Sequence, residues 1–438
     1  MPSLTDGFNL DISGVAGFLG GEASVAASTT AHMIYAQSRW VGWYNQPGSY
    51  DIARYYGQLS PSGLFRALYP GVESNQDPTS LFKYTGPLGP RFNGVHTGTV
   101  LQQTGHVARL FHRWCANTPS STVHSQEVKR RVTTPATVIV AHLTHIPGST
   151  IPIRQKIRDK RSMLAILPTL ASLTTCALCG MLGDWFCFSM ILLGIVASGI
   201  SACVLGSGRL LFEHPLPISP STPPGDGLLG DERDFIVLKG AESTVNMITR
   251  GSFSLEFASR PTYNDIGMCS LLLTLQFVAQ LLVVPQGTLH GQILFIVSLA
   301  CSWAYNSYLS TLDRDAFQQE LLVTAVLQLD SHQLLKCSLD TRPSAAVFVI
   351  LLLAPARTEN LRRIMDHIIP NDTAVWNKWK LDVLDCIERD FLIEAQETFV
   401  FDFRTAPVSW THQESALLEI LRDDAAAAAE VYRAYIAQ

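Results

Sequence analysis

Charge is scarce in this sequence. Asp, Glu, Lys and Arg make up 16% of its 438 residues, against roughly 25% in a typical soluble domain. The deficit is local: residues 162–208 hold one charged residue, Asp184, and residues 266–312 hold none. A basic excess is also missing. Lys and Arg number 32 against 37 Asp and Glu, a formal net charge of −5. That balance argues against a general nucleic-acid surface, so no nucleic acid is expected as a partner, although a local basic patch is compatible with it.

Motifs of catalysis are lacking too. There is no G-x-x-x-x-G-K-[ST] phosphate loop and no G-x-G-x-x-G after a strand, and neither H-E-x-x-H nor G-x-S-x-G occurs. No enzymatic activity and no cofactor are therefore expected. The N-terminus, MPSLTDGFNLDISG, lacks the basic start and compact apolar core of a secretory signal. Of the 9 cysteines, Cys176 and Cys179 have redox or metal spacing, but they fall inside an apolar run with no second ligand pair. Cysteine there serves as a small apolar residue, and no disulfide framework is expected in a cytosolic setting. His142 and His145 are the tightest histidine pair. On a strand they point to opposite faces, which is poor geometry for one metal, and ordinary polar or core roles are expected. Asp366-His367 and Asp382/Asp385 read as solvated helix charges rather than acid–base groups.

What is present is membrane-length apolar sequence. A hydrocarbon core of about 30 Å needs a helix of about 20 apolar residues. Each charge-poor window fits two such helices and a tight turn. In the first, Gly183-Asp184-Trp185 marks the turn, predicting helices near 163–182 and 185–206. In the second, Pro285-Gln286-Gly287-Thr288 does so, predicting helices near 267–284 and 289–309. Gly180, Gly194, Gly199 and the small residues from Ser198 to Ala202 offer close packing. Trp303, Tyr305 and Tyr308 suit a membrane interface. The expected fold class is an α-helical integral membrane protein, four transmembrane helices as two hairpins, with mixed α/β cytosolic regions.

Basic residues set the orientation. Arg154, Lys156, Arg158, Lys160 and Arg161 crowd in front of the first window, Arg209 follows it, and Arg260 and Arg314 flank the second. The two turns carry no Lys or Arg. The positive-inside rule then places both termini in the cytosol. The expected organisation is an N-terminal cytosolic region 1–161, hairpin 162–208, a cytosolic Pro-rich linker and small β-containing segment 209–265, hairpin 266–312, and a C-terminal cytosolic α/β region 313–438. Asn371-Asp372-Thr373, a glycan acceptor pattern, should then stay unmodified. Residues 12–36 are moderately apolar, but Glu22 and His32 favour a peripheral or buried segment over a spanning one.

The remaining segments predict an amphipathic helix over 97–116, a strand over 135–143, and a strand, helical turns and strand over 234–257. A helix over 315–329 and a buried strand over Ala345–Ala354, bracketed by Pro343 and Pro355, are expected next. Helices follow over 358–368, 374–395 and 413–437, with a strand at Phe399–Phe403.

Two sets of residues are candidate contacts. The five basic residues of 154–161 would meet the membrane surface, each adding about 1 kcal/mol toward anionic lipid headgroups. Gln276 and Gln280, four apart, share a helix face for intramembrane hydrogen bonds. Three function classes follow. The first is a membrane-anchored cytosolic scaffold or regulatory protein, with the lipid bilayer and a cytosolic protein as partners. The second is a membrane-shaping protein; the arrangement of 162–312 resembles the paired hairpins of reticulon-like proteins, with no shared sequence signature. The third is a channel or transporter formed by homo-oligomerisation around the Gln276/Gln280 face. The first is favoured, because most of the chain lies outside the apolar windows.

Overall fold

The structure is a computed structural model, and it describes residues 20–34, 42–60, 67–69, 77–119, 122–124, 135–144, 148, 150–153, 164–216, 222–230, 234–257, 259–354, 356, 358–391, 399–403 and 410–437. The helices in chain order are α1 (Gly21–Ile34), α2 (Ser49–Gly57), α3 (Pro78–Leu81), α4 (His106–Asn117), α5 (Ile166–Met181), α6 (Trp185–Leu205), α7 (Glu242–Arg250) and α8 (Asn264–Val283). They continue with α9 (Leu289–Ser310), α10 (Arg314–Leu321), α11 (Arg342–Leu353), α12 (Thr358–Ile368), α13 (Ala374–Cys386) and α14 (His412–Ile436). The strands are β1 (Arg91–Gly94), β2 (Val100–Leu101), β3 (Thr122–His124), β4 (Ala136–Leu143) and β5 (Thr150–Pro152). After them come β6 (Arg209–Glu213), β7 (Gly227–Gly230), β8 (Asp234–Gly240), β9 (Ser252–Glu256) and β10 (Leu334–Leu339). The chain forms two compact units, each assembled from three separate stretches.

The first unit comprises 1–85, 152–211 and 253–318. Among its described residues, Trp185–Leu205, Asn264–Gln286 and Leu289–Ser310 are long and apolar enough to cross a membrane, with mean hydropathies of 2.3, 2.0 and 1.3. The fourth expected helix, α5, has 16 residues and so spans about 24 Å at 1.5 Å per residue. α5 packs on α6 and α9, α8 on α6 and α2, and α9 on α1. The polarity of this unit is inverted. Leu167, Leu170, Leu173, Met181, Leu275 and Leu282 point outward, Met181 being 83% exposed. Ser172, Ser198, Ser298, Ser302, Gln276 and Asn306 are buried. The 14 residues of α1 are too few to span, and its Ala27 packs with Tyr44, Ala165, Tyr305 and Leu309.

The second unit comprises 86–151, 212–252 and 319–438. Its seven-stranded sheet has the order β2-β1-β7-β8-β4-β10-β3. β4 runs parallel to β8, with Val138 opposite Phe235, and antiparallel to β10, with Val138 opposite Cys337. Both strands are covered on both faces, as their continuous apolar runs require. Val138, Val140, Phe235 and Val237 enter a cluster with α11 and α14. Successive side chains on a strand alternate in direction, so Ile139, Ile236 and Leu238 are buried on the opposite face, where α4 and α7 pack on β8. The apolar windows are insertions in this fold: 162–208 falls between β4 and β8, and 266–312 between β8 and β10.

Several elements differ from their sequence-based expectation. Ala345–Ala354 is not a strand; it lies in α11 and the residue that follows it. The Thr341 side chain caps the helix by accepting from Ser344 N, and Pro343 occupies the first turn, where its missing N–H costs nothing. Every residue from Ser344 to Leu353 is buried, and a helix surrounded on all sides carries no amphipathic signature. The strand nearby is instead β10. Within 97–116 the helix begins only at His106, and Val100–Leu101 pair with β1. The helix expected at 315–329 is α10 followed by a π-helical stretch at Leu322–Leu327. α13 ends at Cys386 and passes into π-helical Ile387–Phe391. Phe399–Phe403 is irregular rather than a strand, with the Phe401 and Phe403 rings stacked at 5.4 Å.

One buried cation holds a corner of the second unit. Lys380 is 2% exposed. Its Nζ donates to Asp366 Oδ1 at 2.7 Å, to the Ile369 carbonyl at 2.7 Å and to the Asn371 carbonyl at 2.9 Å. All three ammonium protons are thus used, and they close the turn after α12. Lys380→Met should cost about 2–3 kcal/mol, the scale of hydrogen bonds to a charged group. Arg362→Ala, which removes an exposed contact to Asp366 at 3.9 Å, should cost under about 0.5 kcal/mol. Denaturant unfolding of both variants checks this; equal stability of the two would contradict it.

Candidate functional site

The polar interior of the first unit is built around an irregular segment, 42–47. Small residues on α6 make room for it. A methyl on Gly194 would meet Asn45 Oδ1 at 2.1 Å, one on Gly199 would meet the Trp43 ring at 2.3 Å, and one on Gly42, at φ +111°, would meet Ala202 Cβ at 2.4 Å. The small stripe expected to serve helix–helix contact therefore receives a loop. Irregular backbone among apolar helices needs partners for its polar groups, and the helices supply them. Ser198 Oγ donates to the Gly42 carbonyl at 2.8 Å and the Asn45 N–H donates to Ser172 Oγ at 3.0 Å. Tyr44 Oη donates to Asn306 Oδ1 at 3.0 Å, and Asn306 Nδ2 donates to Ser24 Oγ at 3.0 Å.

Gln280 belongs to this network. Its Nε2 donates to Asn45 Oδ1 at 3.2 Å and to the Met190 carbonyl at 3.3 Å. Gln276 is one helical turn away and fully buried, and among the described residues neither its Oε1 nor its Nε2 has a hydrogen-bond partner. The basic candidates Arg154, Lys156, Arg158, Lys160 and Arg161 lie outside the described residues.

Asp184, the lone charge of the windows, ties the two turns together. Its Oδ1 accepts from Cys187 N at 3.0 Å, capping α6. Its Oδ2 accepts from Thr288 N at 2.7 Å and Thr288 Oγ1 at 2.8 Å. Thr288 Oγ1 in turn accepts from Gly291 N at 3.2 Å, capping α9. A methyl on Gly291 would fall 1.9 Å from Asp184 Oδ2, so the glycine gives the carboxylate its place.

In the second unit, His142 Nε2 lies 3.0 Å from Tyr435 Oη. Burial, with the Lys239 charge beside it, holds the imidazole below its usual range. Its sequence neighbour His145 lies outside the described residues. Burial pushes the Cys337 thiol up to about 12. Asp366 pairs with Lys380, and Asp382 with Lys378 at 2.6 Å and Arg422 at 3.6 Å. Cys176 and Cys179 sit in an apolar cluster of the first unit. Among the described residues no group of three or more His, Cys, Asp or Glu is arranged to hold a metal ion.

The second unit also contains a cleft of about 830 Å³ with a cationic lining. Arg91 opens β1, Arg109, His112 and Arg113 lie along α4, Arg342 opens α11 and His367 closes α12. The loop before β1 is seated by a bond from Gly89 N to the Thr104 carbonyl at 2.9 Å and one from Thr104 Oγ1 to the Pro90 carbonyl at 2.6 Å. The α4 residues had a sequence signal. Positions i, i+3 and i+4 share a helix face, here the one opposite buried Leu110, Phe111 and Cys115. Arg91 and Arg342 join them only through the tertiary fold. No protein-family model, curated protein or solved structure matches the chain.

The Asp184 clamp is testable by a double-mutant cycle in detergent. Asp184→Ala should lower stability by roughly 2–3 kcal/mol. Gly291→Ala should cost at least about 1 kcal/mol alone and much less on the Asp184→Ala background. Strictly additive losses in thermal unfolding would contradict the clamp.

Proposed function

We propose that this chain is a multi-pass membrane protein of two helical hairpins carrying one α/β module on a single side of the bilayer, and that it acts as a membrane-anchored scaffold or regulatory protein. The observation that supports this most is the sheet. β4 precedes the first apolar window, β8 lies between the windows and β10 follows the second, yet β4 pairs with both. A strand ladder does not form through hydrocarbon. The three segments therefore share a side, and each window returns to the side it left. Two passes per window satisfy this, with α5 extended by its flanking residues or met by local bilayer thinning.

The inverted polarity of the first unit adds support. Its outward apolar side chains have lipid as their natural solvent, and its inward Ser, Asn and Gln side chains bond between segments. The basic run at 154–161 supports the cytosol as that shared side. It also favours contact with anionic headgroups. A scaffold or regulatory role fits a protein whose apolar windows use their single charge as a structural clamp and which carries an α/β unit built from 86–151, 212–252 and 319–438.

Membranes washed at alkaline pH should retain the chain. Spin labels at Leu170, Leu275 and Ile293 should collide with oxygen, which dissolves in lipid, and stay shielded from a water-soluble nickel complex. Release by the wash, or nickel access at these positions, would refute membrane insertion. The scaffold role predicts that cytosolic partners stay bound when both windows are replaced by unrelated transmembrane hairpins of equal length. Loss of every partner with the native windows would contradict it.

A further inference from the structure

The cationic cleft of the second unit has no part in that anchoring, and its chemistry points to a ligand. We propose that it binds a small molecule or headgroup carrying several clustered phosphate groups. Four guanidinium groups, from Arg91, Arg109, Arg113 and Arg342, converge on it with the imidazoles of His112 and His367. No Asp or Glu lines it among the described residues. Arginine is always charged and matches phosphate oxygens with paired N–H donors.

The wall is organised rather than merely basic. Arg91 Nε donates to Asn93 Oδ1 at 3.2 Å, and Arg91 Nη1 donates to His367 Nδ1 at 3.3 Å. That contact makes His367 Nδ1 an acceptor and puts the ring proton on Nε2. The Arg342 guanidinium lies 5.9 Å over the Phe235 ring, which covers the aromatic surface the cleft offers. Neither Arg342 nor Arg109 has a carboxylate partner among the described residues. The first turn of α11, a 12-residue helix, adds the partial positive charge of its N-terminus beside Arg342. His112 also lines the cleft, and its Nε2 is buried with no hydrogen-bond partner among the described residues.

Charge sets the ligand class. A single carboxylate would offset one of four fixed positive charges. A phosphomonoester carries about −1.5 to −2 at neutral pH, so two or three phosphates match the wall. The volume of about 830 Å³ falls within the range of small-ligand pockets, about 300–1,000 Å³. With Phe235 covered by Arg342, the site reads clustered charge rather than a nucleobase.

The test uses the full chain in phosphatidylcholine nanodiscs. Calorimetric titrations with inositol trisphosphate, ATP and inorganic phosphate form one arm. Co-sedimentation with phosphatidylcholine vesicles containing phosphatidylinositol bisphosphate forms the other. The expected result is saturable binding in at least one arm, stronger for clustered phosphates than for inorganic phosphate. Arg109→Gln and Arg342→Gln should each weaken it by about tenfold, whereas Arg250→Gln, outside the cleft, should leave it unchanged. Binding in the first arm identifies a soluble ligand, and binding to the vesicles alone identifies a headgroup. Arg109 is exposed and has no side-chain ion pair among the described residues, so its replacement is expected to leave the fold intact. Absence of saturable binding in both arms, or binding indifferent to Arg109→Gln and Arg342→Gln, overturns the proposal.

Discussion

The pairing of β4 with both β8 and β10 constrains everything else about this protein. Paired strands lie about 4.8 Å apart, so the stretches that supply them meet in one sheet, and under the proposed membrane insertion they share one side. Two apolar windows interrupt those stretches. On the proposed topology, a chain that leaves that side at one end of a window comes back at the other, so each window makes an even number of passes.

Inside the first unit the usual rule for soluble cores is reversed. There is no hydrophobic gain in packing apolar helices against each other when lipid is the alternative solvent. Close approach and interhelical hydrogen bonds take over. Gly194 and Gly199 admit the segment 42–47, whose backbone and side chains bond to Ser172, Ser198, Gln280 and Asn306. Asp184 then joins the start of α6 to the start of α9 through Thr288. The second unit has an apolar core instead, with α11 enclosed between the sheet and α14 and a cationic cleft at its surface.

The long apolar helices were legible because length and absence of charge are local properties. Their expected ends differ from α6, α8 and α9 by only a few residues. β4 and β8 were legible as continuous apolar runs. α11 was not, because a 10-residue apolar run has the same composition as a buried strand or a buried helix; Thr341 and Pro343, at its start, were the deciding signals. The role of residues 42–47 was hidden, since a Trp-Tyr-Asn-Gln run reads as a loop until the glycines of α6 are placed against it. The Gln276/Gln280 spacing puts both on one helix face, while the partners of Gln280, Asn45 and the Met190 carbonyl, lie far away in sequence. The cleft was half visible in Arg109, His112 and Arg113, and its other half comes from β1, α11 and α12.

Sidedness is the direct test of the topology. Single cysteines at Thr97, Arg250 and Asp372 sample the three stretches that form the α/β unit, and cysteines at Met181 and Gln286 sample the two turns. In sealed vesicles, a membrane-impermeant thiol reagent should label the first three from one side and the last two only from the other. Labelling of Met181 or Gln286 from the side that labels Thr97, or a split among Thr97, Arg250 and Asp372, would contradict a one-sided module carried by two hairpins.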